Sequence, residues 1–260
     1  MTTSSISILF SALALAFLAV SAVALPNLAM ASGTSFRSSP NIPQGAASAK
    51  QGRHASEAIA VRSERKDRLV ILFHGIRGRG SVMAAIGESW RATLPDTEFV
   101  APDAPFAHRS GGRQWFAVDD QVMRPDRIQA ARKAFDDLVS EIVKREGFDG
   151  TLDKVAFVGV SQGAIMALDA VTTGRWKVGG LVSFAGLLPL PPTSSSAKTP
   201  ILLMHGSADR TIPSAASVAA KGQLEGAGYN VTLKLFPDVG HTIASEEARE
   251  AARFVRDHLN

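Results

Sequence analysis

Lys154-Val155-Ala156-Phe157-Val158, Gly159-Val160-Ser161-Gln162-Gly163 and Ala164-Ile165-Met166-Ala167-Leu168-Asp169-Ala170-Val171 follow one another without a break. The first five residues are β-branched, aromatic or small and read as a buried strand. The last eight favour a helix and meet no breaker before Gly174. A G-x-S-x-G pattern between a strand and a helix is the setting in which a serine sits on a sharp, strained turn with its hydroxyl exposed above the sheet. Crowding explains the glycines: side chains at positions 159 and 163 would collide with backbone packed against the turn. The helix that starts behind Ser161 aims backbone N–H groups at any negative charge forming there. The bland alternative is a Gly/Ser turn joining a strand to a helix.

On either side the pattern repeats. Arg68–Phe73 reads as a strand, followed by the glycine-dense loop His74–Gly80 and a helix from Ser81 to Leu94. A second strand covers Glu98–Ala101 and ends in the proline-rich Pro102–Phe106. A polar stretch then carries Gly111–Phe116. Ile128, Ala131, Phe135, Leu138 and Ile142 fall at helical spacing within a helix over Arg124–Glu146. Beyond the elbow, Gly179–Phe184, Pro200–Met204 and Val231–Phe236 read as strands, with helices over Ser214–Ala227 and Ala244–Leu259. Strands alternating with helices predict an α/β fold with a mostly parallel sheet covered on both faces. Ligands of such sheets bind beyond the carboxyl ends of the strands, so the loops after Phe73, Val158, Met204 and Phe236 matter most.

A serine hydroxyl needs a base, and the base needs a carboxylate to fix its tautomer. Asp209 follows the strand ending at Met204, and His241 follows the last strand, giving the order Ser161, Asp209, His241. Each intervening stretch has room for one strand and one helix. Asp209 has a rival role as a helix cap near Pro213, His241 as a solvated loop residue, and Asp238 is a second candidate orienter. Two backbone donors would complete an oxyanion hole, the amides of Gln162 and Ile76. Trp115 is expected to supply an apolar wall for substrate, with Phe116 beside it, or else to pack in the core or at the surface. Arg77 and Arg79 border the site as substrate-binding cations or as solvated loop charges. His74 and His205, each starting a His-Gly turn, read as structural because no metal-ligand spacing joins them. No cofactor and no metal are expected.

The 260 residues suit one α/β domain with an appended segment. A net charge of +4 with scattered arginines argues against nucleic acid as a partner. The absence of cysteine excludes disulfides, thiolate metal sites and a cysteine nucleophile. Ile6 to Leu25 is a charge-free run of 20 residues, followed by the small-x-small Ala29-Met30-Ala31. Residues 1–31 are therefore read as a signal peptide or hydrophobic segment, 32–66 as a flexible linker and 67–260 as the folded α/β domain. A cleaved signal implies a periplasmic or secreted protein. An uncleaved segment would anchor it by residues 6–25 and offer transient membrane contact, and translation starting at Met30 would leave it cytoplasmic.

Six separated motifs agree in order with one family. Leu72-Phe73-His74-Gly75-Ile76, Pro102-Asp103-Ala104-Pro105, Gly112-Arg113-Gln114-Trp115-Phe116, the elbow through Leu168, His205-Gly206-Ser207-Ala208-Asp209 and Val239-Gly240-His241 together resemble the bacterial phospholipase/carboxylesterase family. This is the acyl-protein-thioesterase-like branch of the α/β-hydrolases. The resemblance implies an α/β-hydrolase fold and a serine esterase acting on small or medium acyl esters, or on thioesters or lysophospholipids, with Ser161, Asp209 and His241 as triad. Many hydrolases of this fold carry a lid domain, but only thirteen residues separate Gly186 from Pro200, so none is expected. The family loop usually runs His-Gly-x-Gly-Asp, whereas here Arg77 follows Ile76 and Arg79 stands near the acidic position. Two other classes compete, a non-catalytic binding protein of the same fold and a peptidase. The first would be expected to lack a triad member, the second to carry a gating domain.

Overall fold

The computed structural model describes residues 66–118, 124–193 and 199–259; the hydrophobic segment and all but the last residue of the expected linker lie outside the described residues. Six strands form one sheet: β1 (Arg68–Phe73), β2 (Thr97–Val100), β5 (Val155–Val160), β6 (Gly180–Phe184), β7 (Ile201–Gly206) and β8 (Val231–Phe236). Their spatial order is β2-β1-β5-β6-β7-β8, and every neighbouring pair is parallel. The expected strands are all present. The register aligns Phe73 with Gly159, Val160 with Phe184 and Gly206 with Phe236, so the carboxyl ends open on one edge.

The two faces of the sheet follow from the period of two along each strand. Leu69, Ile71, Phe73, Val155 and Phe157 join one core with helices α2 (Pro125–Arg145), α3 (Gln162–Thr172) and α4 (Ala215–Gly226). Val70, Leu72, Ala156 and Val158 join the other, with α1 (Gly80–Ser89) and α5 (Ser245–His258). Full burial of each Leu or Phe contributes about 1.5–3 kcal/mol, enough in sum to fix the layers against chain entropy. The α/β-hydrolase fold is thus a parallel sheet with helices on both sides. Between Gly186 and Pro200 no helix or strand occurs among the described residues.

α3 carries Ser161 at its entrance and is buried along its whole length. Its one charged residue, Asp169, accepts both arms of the Arg132 guanidinium at 2.8 and 2.9 Å and a bond from Arg175 at 2.9 Å. That fork ties α3 to α2, whose Pro125 and Asp126 start the helix and whose Lys144 and Arg145 suit its negative end.

Two local expectations differ. α1 stops at Ser89 rather than Leu94, because Trp90 turns inward and Thr93 and Leu94 close tight turns on its carbonyl. The stretch read as merely polar contains a small antiparallel hairpin, β3 (Phe106–Ala107) with β4 (Arg113–Gln114). Gly111 and Gly112 turn it with φ of 87° and 72°, values that favour glycine. No described helix is long and apolar enough to cross a membrane.

Candidate active site

Ser161 leaves β5 with φ 54° and ψ −119°, outside the ordinary basins for a residue with a side chain. Its amide is held by the Phe184 carbonyl at 2.9 Å, and its carbonyl accepts the first turn of α3 from Ile165. The two flanking glycines are required by contact. A Cβ at Gly159 would lie 2.6 Å from the Ala164 nitrogen, and one at Gly163 would lie 2.3 Å from the Phe73 carbonyl oxygen. The turn therefore wedges between its own helix and the end of β1.

His241, on the loop after β8, reaches back to this turn. Its Nε2 is 2.9 Å from Ser161 Oγ, and its Nδ1 is 2.6 Å from Asp209 Oδ2. Asp209 accepts at Nδ1, so Nδ1 carries the proton and Nε2 is left to accept from the serine. Gly206 makes the approach possible, since a Cβ there would lie 2.1 Å from the Val239 carbonyl oxygen. Asp238, the other candidate orienter, is exposed, and its amide donates to Ser207 Oγ.

Asp209 does two jobs at once. Its Oδ1 accepts from the amides of Thr211 and Ile212 at 2.8 and 3.0 Å, forming the turn before α4, while Oδ2 faces His241. The capping role and the orienting role are compatible because they use different oxygens. Burial pushes this carboxyl upward, but hydrogen bonds from His205, His241 and the Ile212 amide outweigh it and hold it far below the usual carboxylate range.

The glycine-rich loop lies against the serine. A Cβ at Gly75 would stand 3.3 Å from Ser161 Cβ, which brings the half-buried Ile76 alongside. Among the described residues, the amides of Ile76 and Gln162 donate to no backbone carbonyl. Arg77 is exposed, with φ 64°, and its amide donates to the Arg113 carbonyl at 2.7 Å. Arg79 is exposed and 3.9 Å from Asp103, whose Oδ1 accepts the Gly80 amide at the start of α1.

Trp115 is not a wall open to substrate. It is 1% exposed, packed edge-on against Phe73 and Phe135, and its indole N–H donates to the His74 carbonyl at 2.8 Å. Phe116 is buried too. Gln162 contributes more than the amide expected of it: its side chain accepts from the Trp115 amide at 2.8 Å and donates to the Phe116 carbonyl at 2.7 Å. Nothing in the sequence signals this side-chain role, because its partners are backbone groups 46 and 47 residues away. His74 is structural as read: Nδ1–H donates to the Gly75 carbonyl, and Nε2 accepts from Ala104. Among the described residues no group of three or more His, Asp or Glu is disposed to hold a metal.

Residues 54–259 match the phospholipase/carboxylesterase family. The chain belongs to that family. It is thus a hydrolase of the carboxylesterase type within the α/β-hydrolases. It is 33% identical over 196 residues to esterase YpfH of Escherichia coli, covering 74% of this chain and 81% of the relative. It is 28% identical to acyl-protein thioesterase 1 of Gibberella zeae, covering 73% and 90%. Among solved structures, esterase PE8 superposes with a TM-score of 0.67 at 31% identity, covering 74% of this chain and 93% of that one.

Burial gives the site a pH dependence of stability. Desolvation is the largest influence on His74, and it holds the ring below its ordinary value of 6.5. The unfolded chain then takes up the proton first, so stability is full above pH 6.5 and declines as the pH falls below it. His74→Asn keeps a donor for the Gly75 carbonyl but cannot titrate. The variant should be less stable than wild type at pH 7 and lose less stability between pH 7 and 5 in urea unfolding; equal pH slopes would contradict a buried neutral His74.

Proposed function

We propose that the protein hydrolyses carboxylic esters through an acyl-enzyme on Ser161, with His241 as base and Asp209 as its orienter. The two hydrogen bonds linking these side chains, 2.9 and 2.6 Å long, carry this reading. His241 Nε2 takes the hydroxyl proton as Ser161 Oγ bonds to the acyl carbon. The carbonyl π electrons move onto oxygen, and the amides of Gln162 and Ile76 receive that oxyanion. Collapse breaks the bond to the leaving oxygen, which departs with the proton held by His241. Water then repeats the sequence and releases the acid. Small to medium acyl esters are the substrates assigned; a thioester or a lysophospholipid would follow the same steps with another leaving group.

Arg77 is assigned the substrate's anionic end. Its exposed guanidinium belongs to the residue after Ile76, in a loop pinned by Arg113. His108 on the adjoining hairpin is lowered first by its partial burial and then by the fields of Arg77 and Arg109, which supports a positive edge there. Changing Arg77 to Ser should raise KM severalfold for an ester carrying a carboxylate and leave a neutral ester of the same chain length nearly untouched. Unchanged KM for both would remove Arg77 from substrate binding.

Ser161→Ala should lower kcat by about 10⁴–10⁶-fold with the fold retained, the scale seen for loss of a triad serine. Asp209→Asn should be crippling, because it favours the wrong imidazole tautomer, whereas Asp238→Asn should be mild. A crippled Asp238→Asn beside an active Asp209→Asn would reverse the assignment of the orienter.

A further inference from the structure

His205 is the second-last residue of β7, and none of it is exposed. In the sequence it opens the stretch His205–Asp209 and reads as structural. Its ring nevertheless packs against Asp209. Nε2 lies 2.7 Å from the Ile212 carbonyl oxygen and 3.2 Å from Asp209 Oδ2. A carbonyl can only accept, so Nε2 must carry a hydrogen, and that hydrogen is shared with the carboxylate. Nδ1 lies 2.7 Å from the hydroxyl of Ser217 on α4, itself 1% exposed, which donates into the ring. Both nitrogens are thereby assigned in the neutral ring. The other titratable neighbours of this cluster are His241 and the buried Glu247 of α5, whose carboxylate accepts the Ala244 amide.

Asp209 now has a donor for each of its roughly four lone-pair directions. Thr211 and Ile212 occupy Oδ1; His241 and His205 occupy Oδ2. The backbone amides fix only the oxygen that His241 does not use. Among the described residues, His205 is the one side chain besides His241 that meets Oδ2. Without it, Oδ2 would be met by no described side chain except His241, the group it has to orient.

We propose that His205 is a positioning residue, whose Nε2–H fixes the Asp209 oxygen that aligns His241 on Ser161. The proposal rests on the triad reading above. It predicts that the two ring nitrogens are not equivalent, and two substitutions separate them. His205→Gln places an amide N–H near the Nε2 position and keeps the bond to Asp209. His205→Asn places it near Nδ1, keeping a partner for Ser217 and losing Asp209. Both replace an aromatic ring with an amide, so both loosen the core to a similar degree.

For hydrolysis of p-nitrophenyl butyrate, His205→Asn should lower kcat by roughly ten- to a hundredfold with KM within about twofold, the scale of a slight misalignment of reacting groups. His205→Gln should stay within about threefold of wild type. Equal losses in the two variants, or losses that follow their melting temperatures, would make His205 packing alone and overturn the proposal. Asp209→Asn is measured alongside: if it is active, the triad reading has failed, whereas a crippled Asp209→Asn beside a fully active His205→Asn sinks only the positioning role. Should the His205 variants not fold, nitrogen-15 NMR of the wild-type histidines decides. Hydrogen on His205 Nε2 is expected; hydrogen on Nδ1 alone cannot reach Asp209 and would overturn the assignment.

Discussion

Backbone from β1, β5 and α3 converges at the elbow to less than the width of a side chain. The Phe73 carbonyl oxygen lies 2.3 Å from where a Cβ on Gly163 would be, and the first turn of α3 lies 2.6 Å from that of Gly159. This closeness forces Ser161 to a positive φ and carries the strain, of order 1–3 kcal/mol, that such a conformation costs. The strain persists because the surroundings leave no alternative. Phe73 sits in the core against Phe157 and Trp115, β6 holds the Ser161 amide, and α3 is buried on every side. The packing of the sheet thus aims the hydroxyl, and the loops after β7 and β8 need only bring their side chains to it.

Around that fixed point the polar groups are arranged in buried pairs. Taking a carboxylate out of water costs several kcal/mol unless donors replace the lost hydration. Asp209 recovers this from four N–H groups, and Asp169 does so from two guanidinium groups on the far side of α3. A second set of bonds locks the loops above the sheet: His74 to Ala104, Arg113 to the Ala104 and Pro105 carbonyls, and Gln162 to the backbone of Trp115 and Phe116. The loop carrying Ile76 and Arg77 is tied to this set through His74 and through paired backbone bonds with Arg113.

Much of this was legible in the chain because strands advertise themselves. Runs such as Arg68–Phe73 and Val231–Phe236 are bounded by turn residues, and their order alone puts Ser161, Asp209 and His241 at one edge of the sheet. What stayed hidden was the direction of individual side chains. Trp115 in a polar stretch looked free to face substrate, yet its indole N–H is satisfied by the His74 carbonyl, which allows full burial. The β3–β4 hairpin has two residues per strand, too few for any alternation to register. His205 starts a His-Gly turn in the sequence and reads there as structural; only the fold shows that its neighbours are Asp209, Ile212 and Ser217. Trp90 ends α1 early for a tertiary reason, its burial under the sheet, that no local propensity contains.

The central claim is that Ser161 becomes acylated. Mixing the protein with p-nitrophenyl butyrate, quenching in acid within the first turnovers and digesting for mass spectrometry tests this directly. The account predicts a burst of p-nitrophenol close to one equivalent of enzyme and a butyryl mass on the peptide containing Ser161. Sustained hydrolysis with the acyl group on another residue, or with no covalent species under conditions that slow deacylation, would contradict it.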